Sequence, residues 1–233
     1  MQNKLSFSES IIKRKSEGFI PVITDFKCIS PKDGELFKQE NATDLARKMA
    51  DVGAPAISVV TERENFGGSL QMLEDICKAV NIPVLRKDFI RTKSDIDDTL
   101  KSGASAVLLI VSCMSGEELE TCYKYSLECG IEPLVETHDI KEMELAKSLG
   151  CNLIGINNKN IRSLEMDNGN ISATISLAGL KPDHAILISE SGILTYEDVI
   201  TAISSGVNAV LIGTAIWKAK NPFEYYRKLC VLR

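Results

Sequence analysis

Eight short runs of apolar residues recur along the chain, and helix-compatible segments separate them. Most of the runs end in a charged, amide or glycine residue. They cover residues 21–25, 56–60, 83–87, 106–111, 133–136, 153–157, 185–190 and 209–213. The run Ala-Val-Leu-Leu-Ile-Val at 106–111 has the near-continuous aliphatic character of a strand buried on both faces. Strands that alternate with helices in this way predict a parallel α/β fold.

The segments between the runs carry helix and turn signals. Residues 6–15 predict a short helix ahead of the first strand, with Ile11 and Ile12 on its apolar side. The sequence Ser-Gly-Glu-Glu at 115–118 is a capping box, so it predicts the start of a helix. Residues 29–34 are rich in turn formers and predict a loop after the first strand.

The number and spacing of these units indicate how the sheet is closed. Eight units of similar length, with no Gly-x-Gly-x-x-Gly after the first strand, favour a closed barrel over an open doubly wound sheet. The chain has 233 residues, which is close to the size of one such barrel. We therefore predict an α/β, single-domain (β/α)8 TIM barrel over residues 1–233, with a short N-terminal helical extension in residues 1–19 before strand one.

Composition excludes several classes of function. Hydrophobic residues make up 44% of the chain and charged residues 25%, which is typical of a globular domain. The net charge of −5 argues against a general nucleic-acid or membrane-surface binder. No apolar run reaches the roughly 18 residues that a membrane helix needs. We expect no nucleic-acid partner and no membrane partner.

The cysteines and histidines add little chemistry. Seven cysteines form an odd set without Cys-x-x-Cys spacing, and no secretory signal is recognisable. They are interpreted as reduced thiols of a cytoplasmic protein, several of them buried. His138 and His184 are the only histidines and lack ligand-spaced companions, so no metal site is predicted. His138 is interpreted as a surface or capping residue at a helix start.

Chemistry-bearing residues cluster at the carboxyl ends of the predicted strands. Side chains alternate along a strand, so Asp25 and Lys27 project the same way at the end of the first one. Strands three, five, six and seven end in Lys87, Glu136, Asn157 and Glu190. Each alone could be a strand-end residue in solvent or in a rim ion pair. In a barrel, however, these ends converge on the mouth that carries the active site, so we predict an acid–base site there.

Two glycine-containing loops suggest what the mouth binds. Residues 189–193 (Ser-Glu-Ser-Gly-Ile) follow strand seven, and residues 212–215 (Ile-Gly-Thr-Ala) follow strand eight. Glycines let the backbone approach a ligand closely, and these two loops are a frequent phosphate site in the barrel fold. Ordinary glycine turns are the alternative. A phosphorylated small molecule is the favoured ligand.

In their order along the chain, the motifs resemble the indole-3-glycerol phosphate synthase family from about residue 6 onward. The most specific are Arg-Lys-Asp-Phe at 86–89, Gly-Ile-Asn-Asn at 155–158 and Ser-Glu-Ser-Gly-Ile at 189–193. Asp-Phe-Lys-Cys-Ile-Ser-Pro at 25–31, Phe-Gly-Gly-Ser at 66–69 and Leu-Val-Glu at 134–136 support them. The resemblance implies conversion of 1-(2-carboxyphenylamino)-1-deoxyribulose 5-phosphate to indole-3-glycerol phosphate, with loss of carbon dioxide and water.

The resemblance also implies roles for individual residues. Lys87 would be the general acid on the keto oxygen, and Glu136 its acid–base partner. Lys27 would lie between the phosphate and the reacting carbon, with Asn157 and Glu190 orienting hydroxyls and lysines. The implied phosphate ligands are Lys27, Ser191, Gly192, Gly213 and Thr214, and the implied contacts to the rest of the substrate are Ser30, Phe66, Phe89, Leu134, Lys159 and Ser191. No metal or organic cofactor is expected, and a monomer that works beside other enzymes of the tryptophan pathway is anticipated.

Two departures from the family pattern bear on the substrate. Asp25 stands where the family has a glutamate, one methylene longer, and Lys159 stands where it has an arginine that is associated with the substrate carboxylate. A lysine lacks the bidentate fork of arginine. The alternatives are a divergent barrel acting on a different phosphorylated sugar, such as an isomerase, or a barrel that binds a phosphate ligand without turnover.

Overall fold

A computed structural model describes residues 5–159 and 170–231. Eight parallel strands pair in chain order, and the last pairs with the first to close a barrel. The strands are β1 Val22–Phe26, β2 Ile57–Val60, β3 Val84–Lys87, β4 Ala106–Ile110, β5 Glu132–Thr137, β6 Leu153–Asn157, β7 Ile186–Glu190 and β8 Ala209–Ile212. The predicted (β/α)8 barrel is confirmed, and each predicted run matches a strand to within one residue at either end.

One helix precedes the first strand, and the others follow strands and pack outside the barrel. They are α1 Phe7–Ser16, α2 Ala42–Asp51, α3 Leu70–Ala79, α4 Lys93–Lys101, α5 Gly116–Glu128, α6 Ile140–Ser148, α7 Ser172–Leu177, α8 Tyr196–Ser204, α9 Thr214–Trp217 and α10 Pro222–Leu229. The capping box at the start of α5 is present in both directions, between Ser115 and Glu118. Within the two described ranges, no helix combines the length and the apolar character needed to cross a bilayer.

The loop after β1 contains structure that the turn signals did not indicate. Ile29–Ser30 pairs with Gly34–Glu35 in a small antiparallel hairpin. Strands of two residues are too short to produce an alternating pattern, so the sequence predicted only a loop. The hairpin holds this loop in one conformation beside the carboxyl end of the barrel.

Helix α1 closes the amino end of the barrel. Phe7 and Ile11 are buried in the same cluster as the inward-facing strand residues, and the Glu132 carboxylate accepts the N–H groups of Phe7 and Ser8. The prediction that Ile12 also lies on the apolar side is wrong, because its side chain is 57% exposed. Residues four positions apart lie on the same face of a helix, so Ile11 shares the buried face of Phe7. A residue one position further along lies on a different face, so Ile12 points away.

The inward face of the barrel changes from apolar to polar towards its carboxyl end. Ile23, Leu85, Leu134, Leu153 and Ile188 form part of the apolar interior. The residue two positions further along each strand faces the same way, one layer higher. Those residues are Asp25, Lys87, Glu136, Gly155 and Glu190. The alternation of the strands therefore stacks the charged layer directly on a dry interior.

Candidate active site

Lys87 lies at the centre of the charged layer, between two carboxylates from other strands. Its Nζ is 3.0 Å from Glu136 Oε2 and 3.1 Å from Glu190 Oε2. Both glutamate side chains are fully buried, and that of Lys87 is 11% exposed. Buried charges of this kind require partners, and the two ion pairs fix the position of the ammonium. The arrangement supplies a proton donor flanked by two possible proton acceptors.

Glu190 has the most perturbed environment of the three. Complete burial raises the pKa of its carboxyl to about 7, with the neighbouring Glu136 charge adding to the rise and the Lys87 ammonium opposing it. Its Oε1 lies beside Gly155, where an added Cβ would approach to 2.1 Å. Among the described residues, Glu190 Oε1 and Asn157 Nδ2 have no hydrogen-bond partner. Buried polar atoms of this kind are suited to the hydroxyl groups of a ligand.

Because the pKa of Glu190 is raised, the difference in stability between Glu190→Gln and wild type should depend on pH. Between the unfolded pKa of 4.5 and about 7, the folded protein keeps a proton that the unfolded chain has released. Wild-type stability from this group therefore falls as pH rises through that window. Because glutamine does not titrate, the melting temperature of Glu190→Gln relative to wild type should increase from pH 4.5 to pH 8. Thermal melts check this, with the exposed Glu128→Gln as a control that shows no such trend; a constant difference for Glu190→Gln would contradict it.

Asp25 is held rigidly by two neighbours. Its Oδ1 accepts a hydrogen bond of 2.7 Å from the Ser58 hydroxyl in β2. Its backbone oxygen accepts one of 2.8 Å from the indole N–H of Trp217, whose ring packs edge-on against Phe26 and Phe37. These contacts fix both the backbone and the carboxylate at the end of β1. Ser58 had no predicted role, although a lone polar residue inside an apolar strand was a usable signal.

Two cavities at the carboxyl end of the barrel share Asp25, Lys27 and Lys87 as lining residues. The empty space in each, including the part open to solvent, is about 360 Å³ for the first and 430 Å³ for the second. Both lysines therefore line one continuous site. Lys27 Nζ lies 5.8 Å from the centroid of the Phe66 ring, within cation–π range.

The first cavity has a largely apolar wall, formed by Val60, Phe66, Phe89, Leu108 and Ile110. Of these, only Phe66 and Phe89 were predicted. Leu108 and Ile110 have the inward orientation of alternate residues in β4, a signal the sequence contained. Glu62 also lines the cavity, and its carboxylate accepts the N–H groups of Asn65 and Phe66. Glu62 thus shapes the loop that presents the Phe66 ring.

The second cavity is lined by Lys159, Ser191, Gly192, Gly213 and Thr214. Ser191 and Gly192 have φ values of 61° and 69°. This left-handed conformation is uncommon for serine and costs about 1–3 kcal/mol, which is typical of functional turns. Turns with such residues direct successive N–H groups to one side and form anion-binding concavities. The geometry therefore suits a phosphate.

Gly213 allows β8 to end against Asp25. An added Cβ at Gly213 would lie 3.1 Å from both the Cβ and the backbone oxygen of Asp25. Such a contact is tighter than most real Cβ contacts, and Asp25 is held in place by Ser58 and Trp217. The glycine thus keeps the second cavity adjacent to the carboxylate of Asp25.

Several predicted residues lie away from the cavities. Leu134 is fully buried in the barrel interior and lines neither cavity, because it precedes Glu136 by two residues and lies one layer deeper. Ser30 is buried in the hairpin, where its hydroxyl donates to Asp33, and it also lines neither cavity. Asn157 is buried at the end of β6, and its Oδ1 accepts the backbone N–H of Lys159 at 3.0 Å.

His138 is not a surface or capping residue, so that prediction is wrong. Its side chain is 17% exposed and lies between Glu136 and Glu142, while Asp139 caps α6. The sequence placed His138 at a helix start but could not indicate that β5 directs it back towards the charged layer. Four of the seven cysteines, Cys28, Cys122, Cys151 and Cys230, are buried, as expected for several of them. In the part of the chain that is described, no three His, Cys, Asp or Glu residues are grouped so as to hold a metal ion.

Comparison with known proteins identifies the family. The family model for indole-3-glycerol phosphate synthase matches residues 1–229. The chain is 41% identical over 208 residues to an indole-3-glycerol phosphate synthase of Thermococcus kodakarensis, covering 89% of this chain and 91% of that protein. Identity is also 41% to the Pyrococcus furiosus synthase, over 95% of both chains. A multifunctional tryptophan biosynthesis protein of Schizosaccharomyces pombe is 42% identical over 89% of this chain and 28% of its own length. The chain belongs to the indole-3-glycerol phosphate synthase family.

Proposed function

We propose that this chain is a carbon–carbon lyase that closes the indole ring. It converts 1-(2-carboxyphenylamino)-1-deoxyribulose 5-phosphate to indole-3-glycerol phosphate, carbon dioxide and water. Family membership supports the reaction, since the relatives named above carry the synthase name. The observation that carries the proposal for this site is the pair of cavities that share Asp25, Lys27 and Lys87.

The two cavities match the two ends of this substrate. The aromatic ring fits the apolar wall of the first, against Phe66 and Phe89, and the phosphate fits the turn at Ser191 and Gly192 in the second. The reacting carbons between these two ends then lie beside Asp25, Lys27 and Lys87, the residues that both cavities share. Gly213 and Thr214 complete the phosphate site, and Lys27 lies between the phosphate and the reacting carbon. Binding both ends brings the reacting carbons close together.

Lys87 donates a proton to the keto oxygen as the aryl carbon attacks the carbonyl carbon. Its contact with Glu136 and Glu190 holds the ammonium on the inner face of the barrel, where the shared part of the cavities lies. Loss of carbon dioxide restores conjugation, and loss of water then requires a proton acceptor and a second proton donor. Glu136 and Lys27 take these roles. Each proton transfer of this kind typically raises the reaction rate by about 10²–10⁴-fold.

Asn157, Glu190 and Asp25 orient the reacting groups. The Asn157 Nδ2 and Glu190 Oε1 atoms are buried at the ends of β6 and β7, where they can bind substrate hydroxyls. Asp25, held by Ser58, replaces the family's glutamate as a proton-transfer group beside Lys27. Ser30 and Leu134 line neither cavity, and their predicted contact with the substrate stays a prediction.

We further propose that Lys159 binds the substrate carboxylate. It lines the second cavity together with Lys87, and its backbone is tied to Asn157. We also propose that the chain acts in the cytoplasm as a monomer beside the enzymes that precede and follow it. The Schizosaccharomyces pombe relative, named as multifunctional, supports such proximity.

The proposed function is tested by the absorbance rise of indole formation when the purified chain meets the arylamino-deoxyribulose phosphate. Lys159→Arg restores a bidentate fork, so we expect KM to fall by roughly 2–10-fold, about 0.4–1.4 kcal/mol of binding, with kcat within about twofold. Lys159→Gln should instead raise KM. Binding of the substrate without product at high enzyme concentration would contradict the proposed function. An unchanged KM in both variants would remove only the role of Lys159.

A further inference from the structure

His138 lies behind the charged layer, between two carboxylates. Its Nε2 is 3.4 Å from Glu136 Oε1, and its Nδ1 is 3.0 Å from Glu142 Oε2. The backbone N–H of His138 also donates to Glu142 Oε2 at 2.8 Å. Neither the family resemblance nor the mechanism above uses this residue.

The local sequence explains the placement. Glu136 lies near the end of β5, and His138 follows the last residue of that strand, where the chain bends into α6 and brings the two side chains together. Asp139 caps α6, and Glu142 is the third residue of that helix, from which it reaches back to His138. The start of α6 therefore holds His138 by two hydrogen bonds to one carboxylate oxygen, one from its backbone N–H and one at ring Nδ1.

The two oxygens of Glu136 have separate neighbours. Oε2 contacts Lys87 Nζ at 3.0 Å, and Oε1 is directed at His138 Nε2. Neither Oε1 nor Nε2 has a hydrogen-bond partner of full geometry among the described residues, and the two atoms lie 3.4 Å apart. A small rotation of the imidazole brings the 3.4 Å contact into hydrogen-bond range. The buried carboxylate is thus fixed from two sides.

We propose that His138 is a positioning residue for Glu136, and this rests on the proposed function. The imidazole Nε2–H holds Oε1, which keeps Oε2 on Lys87, and Glu142 holds the ring by accepting Nδ1–H. Both ring nitrogens carry a proton only in the imidazolium form. The line Glu142, His138, Glu136, Lys87 then alternates in charge from the outside of the barrel to its mouth. Loss of one ring proton breaks it.

The surroundings favour the charged form of His138. Burial alone lowers its pKa, but the hydrogen bond to Glu142 and the charges of Glu136, Glu142 and Glu190 outweigh this, so the pKa is raised above 6.5. Lys87 and Cys113 also lie beside these carboxylates, and burial raises the pKa of the Cys113 thiol, so the thiol adds no charge near neutral pH. The bridge is therefore complete below pH 6.5 and is lost as pH rises through the folded pKa of His138.

The proposal predicts a kinetic signature that a merely structural residue would not give. His138→Ala should lower kcat at least about tenfold, because Glu136 loses its fixed rotamer, with KM within about twofold. The alkaline fall in kcat that is due to His138 should disappear. His138→Gln retains one donor towards Glu136 and should recover part of kcat without restoring that pH dependence.

Variants in α6 test the outer half of the bridge. Glu142→Gln removes the carboxylate that stabilises the imidazolium, so the alkaline limb should move to lower pH. Glu144→Gln is the matched control, since it is the same substitution on the same helix at an exposed side chain that pairs with Lys147. It should leave kcat, KM and the pH profile unchanged. If His138→Ala does not fold, the pH dependence of kcat in Glu142→Gln tests the positioning role instead.

An NMR titration separates this proposal from the proposed function. The chain has two histidines, and the ring signal that disappears in His138→Ala is that of His138. The pKa read from the His138 ring signal should lie above the ordinary histidine value of 6.5 in wild type and shift to lower pH in Glu136→Gln and in Glu142→Gln. Lack of turnover by wild type would overturn the proposed function alone. A wild-type kcat and alkaline limb in His138→Ala, or a His138 titration indifferent to both glutamates, would overturn the positioning role.

Discussion

Replacement of Lys87 by Met is expected to lower kcat by about 10²–10⁴-fold, the usual contribution of a general acid. Methionine has a similar length but no proton to donate to the keto oxygen. The substitution also leaves Glu136 and Glu190 facing each other without the ammonium that now lies 3.0 and 3.1 Å from them. The two carboxylates then compete for one proton, so the folded variant gains stability as pH falls. Single-turnover indole formation and thermal melts at pH 5 and pH 8 measure the two effects.

A matched control separates the loss of chemistry from the loss of a lysine. Lys124→Met removes an exposed lysine that pairs with Glu120 on α5, far from the charged layer, and should leave kcat and the pH dependence of melting unchanged. If Lys87→Met retained more than about a tenth of wild-type kcat, the proton would come from another group. Lys27, which lines the same cavities, would then be the next candidate.

The sequence could predict which residues reach the mouth, because β-strand alternation and barrel closure are properties of the pattern. Lys87, Glu136 and Glu190 each end a buried apolar run, so their convergence required only the eight-unit rhythm. It could not predict that Lys87 contacts residues 49 and 103 positions away at hydrogen-bond distance. Those distances depend on the radius and stagger of the barrel, which sum small contributions from every strand.

The errors have a common physical origin, since each concerns a direction that local pattern does not determine. Ile11 and Ile12 are equally apolar, but only contact with the barrel interior selects Ile11 for burial. His138 lies at a helix start, and only the bend between β5 and α6 turns it towards Glu136. Ser58 had no predicted role, because its hydrogen bond to Asp25 depends on the alignment of β1 with β2.

The charged layer illustrates why the scaffold is rigid where the chemistry occurs. Lys87, Glu136 and Glu190 are buried on hydrogen-bonded strands, so they cannot relax into water when a charge develops in the transition state. Groups preorganised in this way stabilise such charge more than mobile surface groups do. This burial also disfavours the charged form of Glu190, so the pKa of its carboxyl is raised. Space for that carboxyl comes from the only inward-facing strand position in β6 that has no side chain, Gly155.

Gly155→Ala is therefore expected to lower kcat about 100-fold, although the substitution adds a single methyl group. The new Cβ would lie 2.1 Å from Glu190 Oε1, and β6 cannot retreat because Gly155 is aligned with Glu136 on one side and Ile188 on the other. The Glu190 carboxylate must move, which breaks its 3.1 Å contact with Lys87. Steady-state kcat and KM measure the effect, with KM changing less than kcat.

Two comparisons decide whether the methyl group acts through Glu190. Gly179→Ala is the control, since an added Cβ there meets nothing within 4 Å, and it should behave as wild type. In a Glu190→Ala background the clash is absent, so adding Gly155→Ala should lower kcat by less than about twofold, a strong departure from additivity. If Gly155→Ala were equally damaging with and without Glu190, the glycine would instead be required by the packing of β6 against Leu134, whose Cδ1 lies 3.6 Å from the added Cβ.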